Sequence, residues 1–312
     1  MGQQVVIENP VINSPFAEPA RHFRFDDEGI TNDLVDGRRP SSYFMPIPKA
    51  RSRTQEQSLP FTEWTQDRIE ENKTVNRIRE RVRIWREGGY QGVTATTLRL
   101  LKYWADPQRE KRLFFCQVEA LETAVYVTEV AKKYGDAWID NELRAANDSS
   151  NPGLPRVAFK MATGSGKTVV MAMLIAWHVL NKLANPQDAR FSDTFLLVTP
   201  GITIRDRLRV LLPNDHENYY RQRDIVPSQL MAELAQAKIL ITNFHAFQLR
   251  ERGNAAKLTK QILAQGGSSA FTETPDQMVR RVCREFGNKK NVIVINDEAH
   301  HCYRGKPREG GE

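Results

Sequence analysis

Residues 158–171 read AFKMATGSGKTVVM, and the fold turns on this run. A short apolar strand leads into TGSGKT, which opens directly into the apolar helix VVMAMLIAW. Strand, turn and helix in that order form the setting in which a glycine-flanked Lys-Thr pair binds phosphate. Gly164 and Gly166 can take backbone conformations closed to residues with a side chain, so the N–H groups of residues 163–168 can converge on phosphate oxygens. Thr163, Gly164, Ser165, Gly166, Lys167 and Thr168 are therefore the expected cradle. The helix starting near Lys167 adds the partial positive charge of its N-terminus. Lys167 is placed to reach the β- and γ-phosphates, and the Thr168 hydroxyl to ligate Mg²⁺. The strict motif wants glycine where Met161 stands, which weakens a plain pattern match. The competing reading, a Gly-rich turn with an exposed lysine, leaves the agreement of strand, helix and both side chains without a cause.

The acidic half of such a site is expected downstream, and residues 291–301 supply it as NVIVINDEAHH. Val292 to Ile295 form a buried parallel strand that ends in Asp297-Glu298. Carboxylates at the C-terminal end of such a strand face the crevice where α/β sheets bind ligands. Asp297 would hold Mg²⁺ through water, Glu298 would orient or deprotonate an attacking water, and His300 would couple the site to a neighbouring domain. The alternative is a charged turn after a strand. His300, His301 and Cys302 are close enough to suggest metal ligation, but no second Cys or His pair at ligand spacing follows, so no zinc site is expected.

Between these motifs, strand-like and helical runs alternate: RVAFKMA (156–162), KTVVMAMLIAWHVLNKL (167–183), DTFLLVTP (193–200), IRDRLRVLL (204–212), QAKILITNF (236–244) and KNVIVINDEAH (290–300). The fold class is α/β, a P-loop (RecA-like) mostly parallel sheet with helices on both faces, preceded by an irregular and helical N-terminal region. The expected division is an extended leader over 1–60, a helical accessory segment over 61–110, and a nucleotide-binding domain over 111–312. Periodicity in the leader is poor, so extended segments and turns lying on another domain are expected there, closing in a basic linker. Helical spacing begins near Phe61: Val75, Ile78, Val82 and Trp85 share one face, and Gly88-Gly89 ends the run. Arg77, Arg79, Arg81, Arg83 and Arg86 interleave with them, either as a solvated, partly ion-paired face or as a nucleic-acid contact. TLRLLKYWA reads as a second helix with Leu98, Leu101 and Trp104 inward, stopped at Asp106-Pro107.

Lys and Arg number 45 against 38 Asp and Glu, for a formal charge of +7 over 312 residues, which permits nucleic-acid binding without demanding it. The three cysteines, Cys116, Cys283 and Cys302, are too few and too scattered for a disulfide framework and suit a reducing compartment. The N-terminus lacks the basic start and apolar run of a signal peptide. No apolar stretch approaches the ~20 residues that cross a bilayer, so no membrane partner is expected and the reading is cytoplasmic.

With these motifs in place the chain resembles a superfamily 2 helicase of the DEAD/DEAH class, and more narrowly the helicase (Res) subunit of type III restriction enzymes. KMATGSGKT (160–168) is similar to motif I, NDEAHH (296–301) to motif II and LLVTPGITIRDRL (196–208) to motif Ia. FFCQVEALET (114–123) resembles the adenine-reading Q-like segment, and INSPFAEPARHFRFDDEGI (12–30) the leader of one bacterial branch. The resemblance implies ATP and Mg²⁺ as cofactors and DNA as partner. It implies that Gln117 hydrogen-bonds the adenine edge with Phe115 packing on the base; a polar residue at a helix start is the plainer reading of Gln117. It implies that Thr203 and Arg205, with Thr242 and Asn243, meet the DNA backbone; a helix cap and a strand end are the plainer readings there.

Members of this class use two RecA-like domains, the second supplying an arginine worth roughly 10³–10⁵ in rate. The sequence stops 12 residues after His300, so it is read as the N-terminal ATP-binding part of a larger motor, truncated after motif II. The second RecA-like domain and any nuclease are expected elsewhere, together with a DNA methyltransferase (Mod-type) subunit. Little hydrolysis is expected of the part alone. Two other functions stay open: a non-enzymatic nucleotide and DNA-binding remnant or split-gene half, and a small-molecule P-loop kinase, against which the DEAH run and the motif Ia segment argue.

Overall fold

The computed structural model describes residues 7, 9–26, 29–44, 69–150, 152–250 and 273–298. The basic linker, residues 61–68 of the first expected helix, and His300, His301 and Cys302 lie outside the described residues. The chain divides into two compact units, Met1–Lys167 and Thr168–Glu312. The boundary falls at the end of the phosphate loop, inside the stretch taken above as one nucleotide-binding domain.

In the first unit the leader is more regular than its composition suggests. Strand β1 (Arg21–Asp26) pairs antiparallel with β2 (Gly29–Asp36), setting Phe23 opposite Leu34 and Phe25 opposite Ile30 across an irregularity at Arg24. That irregularity breaks the two-residue period that would have betrayed the hairpin. A short β3 (Ser42–Phe44) pairs with β4 (Ile69–Glu71), just before helix α1 (Lys73–Glu87).

Helix α1 buries Ile78, Val82 and Trp85, as their spacing predicts, and stops at Gly88. Four of its five arginines are ion-paired: Arg77 with Glu142 (3.1 Å), Arg81 with Asp136 (3.1 Å), Arg83 with Glu80 (2.7 Å) and Arg86 with Glu122 (2.6 Å). Helix α2 (Ala95–Ala105) is capped by Thr94, whose side chain accepts from the Thr97 N–H. Its buried face is Thr97, Leu100, Leu101 and Trp104, while Leu98 is only part-buried. Helix α3 (Phe115–Val125) continues as one π-helical turn, Tyr126–Val130. The turn carries Glu129 inward, where its carboxylate accepts from the Thr94 N–H (2.9 Å) and the Thr97 hydroxyl (2.6 Å), so a buried charge secures the start of α2. Helix α4 (Ala137–Ser150) follows.

The expected strand over 156–162 does not form: this segment pairs with no described strand, and Val157 is 62 % exposed. Its start is tied elsewhere, because the Asn147 side chain of α4 accepts from the Arg156 N–H (2.7 Å) and donates to the Arg156 carbonyl (3.0 Å). An amide that satisfies both backbone groups of Arg156 occupies the positions a strand neighbour would need.

The second unit is built on helix α5 (Lys167–Ala184) and strand β5 (Thr194–Thr199). By length and composition α5 could cross a membrane, but 11 of its 18 residues are buried, which marks a core helix. Strand β5 is buried along its whole length and is flanked by two parallel strands, β6 (Lys238–Asn243) and β7 (Ile293–Asn296), in the order β6-β5-β7. On one face, Phe195 of β5 meets the His178 ring of α5 at 6.2 Å. On the other, Leu196 and Val198 pack with Phe286. A strand buried on both faces reads as an unbroken apolar run, as TFLLV does. Short helices α6 (Ile202–Arg207), α7 (Tyr219–Gln222) and α8 (Met231–Leu234) lie between β5 and β6. Helix α9 (Pro275–Val282) precedes β7 and opens with a reciprocal cap between Thr274 and Gln277.

Candidate functional site

The glycine loop 163–168 begins with a tight turn at Thr163-Gly164. The Ser165 N–H and hydroxyl both donate to the Ala162 carbonyl, at 3.3 and 2.6 Å. Gly164 and Gly166 have φ of +80° and +82°. A Cβ built on Gly164 would meet nothing within 4 Å, so it is the dihedral and not crowding that calls for glycine there. The two left-handed residues flank Ser165 and lead directly into the first turn of α5 at Lys167 and Thr168.

The first turn of α3 braces this loop. Gln117 is 5 % exposed, and its amide is bonded to backbone at both ends. Nε2 donates to the Ser165 carbonyl at 2.9 Å, and Oε1 accepts from the Phe114 N–H at 3.0 Å. The neighbouring Cys116 thiol is exposed, with Sγ 4.0 Å from the same carbonyl. The Phe115 ring sits with the Arg38 and Arg86 guanidinium groups 5.6 and 5.0 Å from its centroid. Together with Phe16, Tyr90, Arg112 and Glu122 it lines a cavity of ≈ 130 Å³. Helical spacing puts Phe115 and Glu122 on one stripe of α3 and Gln117 on another. Phe16 and Arg112 were not singled out in the sequence, because they come from the leader and a loop and carry no motif.

The acidic strand end lies in the second unit. Beyond β7, the Asp297 N–H donates to the Val198 carbonyl at 3.0 Å, so pairing with β5 runs one residue past the strand. The Asp297 carboxylate accepts from the Glu298 N–H at 3.1 Å, and Glu298 has φ of +51°, an uncommon conformation for a residue with a side chain. The register places Thr199 opposite Asn243 and Val198 opposite Asn296, so the three strands end level. Thr242-Asn243, the start of α6 and Asp297-Glu298 therefore share the carboxyl edge of one sheet. Thr203 lies in the first turn of α6, and Arg205 of the same helix is exposed. The Asn243 side chain accepts from the Ala246 N–H at 3.0 Å and caps the turn that follows β6. The Thr242 carbonyl lies 3.5 Å from the Thr199 hydroxyl.

A left-handed glycine loop opening a core helix, with a parallel sheet ending in Asp-Glu, defines a P-loop α/β protein of the helicase kind. Residues 110–309 match the family model described as type III restriction enzyme, res subunit, and the chain belongs to that family. No curated protein and no solved structure matches the chain. Membership carries an ATP-dependent, helicase-like function at the level of the family, with ATP and Mg²⁺ in general use and DNA as the substrate class.

Proposed function

We propose that this chain is the Mg-ATP-binding part of a DNA translocase in a type III restriction-like system. The loop 163–168 holds the phosphates, Lys167 neutralises the β- and γ-phosphate charge, and Thr168 and Asp297 hold Mg²⁺. The single observation that carries this reading is the pair of left-handed glycines, Gly164 and Gly166, leading into the N-terminus of α5. Left-handed glycines let backbone N–H groups turn toward a phosphate, and a helix N-terminus adds a dipole that favours a polyphosphate. Bound Mg²⁺ would supply charge withdrawal from the transferring phosphoryl group. Glu298 orients the attacking water; its left-handed backbone is the kind of local strain that collects at functional positions. Thr203, Arg205, Thr242 and Asn243, at the carboxyl edge of the sheet, supply DNA backbone contacts of a sequence-independent type. His300 couples the site to a second RecA-like domain, and a Mod-type methyltransferase subunit is the expected partner.

Glu298→Gln separates binding from chemistry. The variant should keep Mg-ATP affinity within about twofold while losing whatever hydrolysis the parent shows, because the amide preserves shape and removes the base. A parallel loss of affinity would remove Glu298 from this role.

A further inference from the structure

We propose that the N-terminal leader is a positioning element of the nucleotide site, acting through helix α3 on the phosphate loop. The inference rests on the reading of residues 163–168 as that loop, and it assigns a role to Pro15, Glu18 and Arg38. The first N–H groups of a helix have no partner within the helix. In α3 the first of them, on Phe115, donates to the Pro15 carbonyl at 2.8 Å. The Phe16 ring packs on Phe114 at 5.7 Å and carries the Arg112 guanidinium at 4.4 Å.

One turn further on, Arg38 grips Glu119 of α3 with both terminal nitrogens, Nη2 at 2.6 Å, and its Nη1 also reaches Glu18 at 3.3 Å. Glu18 in turn reaches Arg86 (3.4 Å), which is bonded to the fully buried Glu122 of α3 (2.6 Å). The Glu119 hydrogen bond holds the Arg38 guanidinium above its usual range. Bidentate arginine–carboxylate pairs fix orientation as well as distance, so the leader constrains where the first turn of α3 sits. That turn carries Gln117, whose Nε2 bond to the Ser165 carbonyl sets one wall of the loop. A leader residue can therefore move the loop without touching the nucleotide.

The test compares the full chain with Arg38→Ala, Glu119→Gln, the exchange Arg38→Glu/Glu119→Arg, and Lys167→Ala. A fluorescent ATP analogue with Mg²⁺ is titrated at a temperature well below each thermal midpoint. Arg38→Ala and Glu119→Gln should each weaken binding by about five- to tenfold, the span of a modest coupling between sites, and the exchange should restore part of it. Parent affinity in a folded Arg38→Ala chain would overturn the proposal, because a purely structural pair would lower only the midpoint. Should Arg38→Ala fail to fold, amide exchange in the parent decides. Linkage requires nucleotide to slow exchange of the Phe115 N–H, and an unchanged rate counts against the coupling. Failure of the parent reading looks different: the parent does not bind, or Lys167→Ala binds equally well.

Discussion

Gln117 ties two backbone segments together through one side chain. Its amide closes the start of α3 on one side and holds the Ser165 carbonyl on the other. The setting FFCQVEALET marks Gln117 as an adenine contact or a polar residue at a helix start; its bond to the Ser165 carbonyl, 48 positions away, leaves no local signal. The Phe115 ring lies within reach of two arginines, one from the leader and one from α1. Cys116 offers a direct probe of this corner. Its thiol is exposed beside Ser165, and partial burial pushes its pKa up, so labelling belongs at alkaline pH. Saturating Mg-ATP should slow alkylation of Cys116 severalfold, with Cys116→Ser as the background. Labelling at the same rate with and without nucleotide would place the ligand away from the α3 side of the loop.

At the scale of elements, what needed only local pattern was legible. Helix α1 follows from a repeat of three and four residues, and β5 and β7 from apolar runs with turn residues after them, although β7 is not the buried strand expected: it runs Ile293–Asn296 with Val294 54 % exposed. Elements set by distant partners were not legible. Residues 156–162 carry a strand-like pattern but have their first backbone groups taken by Asn147. The π-helical turn at Tyr126–Val130 widens one turn by a residue, which no local pattern announces, and it shows in where Glu129 lands. Helix α5 hides another feature of this sort. His178 lies among Trp177, Phe191 and Phe195, and its buried Nδ1 has no hydrogen-bond partner among the described residues. Burial pushes its pKa down to about 4 from an ordinary 6.5, so the fold holds the ring neutral while the unfolded chain takes up a proton more readily. The contribution is fully present above about pH 6.5, declines as pH falls, and is lost below about pH 4, amounting to at most about 3 kcal/mol. Denaturant melts of His178→Phe should show a flatter stability profile over that window than the parent. Superimposable profiles would assign the acid sensitivity to other groups.

At the scale of the whole molecule each unit stands by itself: the first ends on the glycine loop, and the second presents Asp297, Glu298 and the strand ends of a parallel sheet. Four of the five α1 arginines are ion-paired, and the carboxyl edge with Arg205 is the proposed DNA contact. The logarithm of DNA affinity should then fall linearly with the logarithm of salt concentration, and Arg205→Ala should flatten that slope by about 1. An unaltered slope would move the contact elsewhere. The most direct test of the account is an equilibrium titration of the full chain with ATP and Mg²⁺, parent against Lys167→Ala. The account predicts saturable, Mg²⁺-dependent binding that weakens at least about a hundredfold in the variant, since the phosphate charge loses its main cationic partner. Equal binding by both chains, or none by the parent, contradicts it.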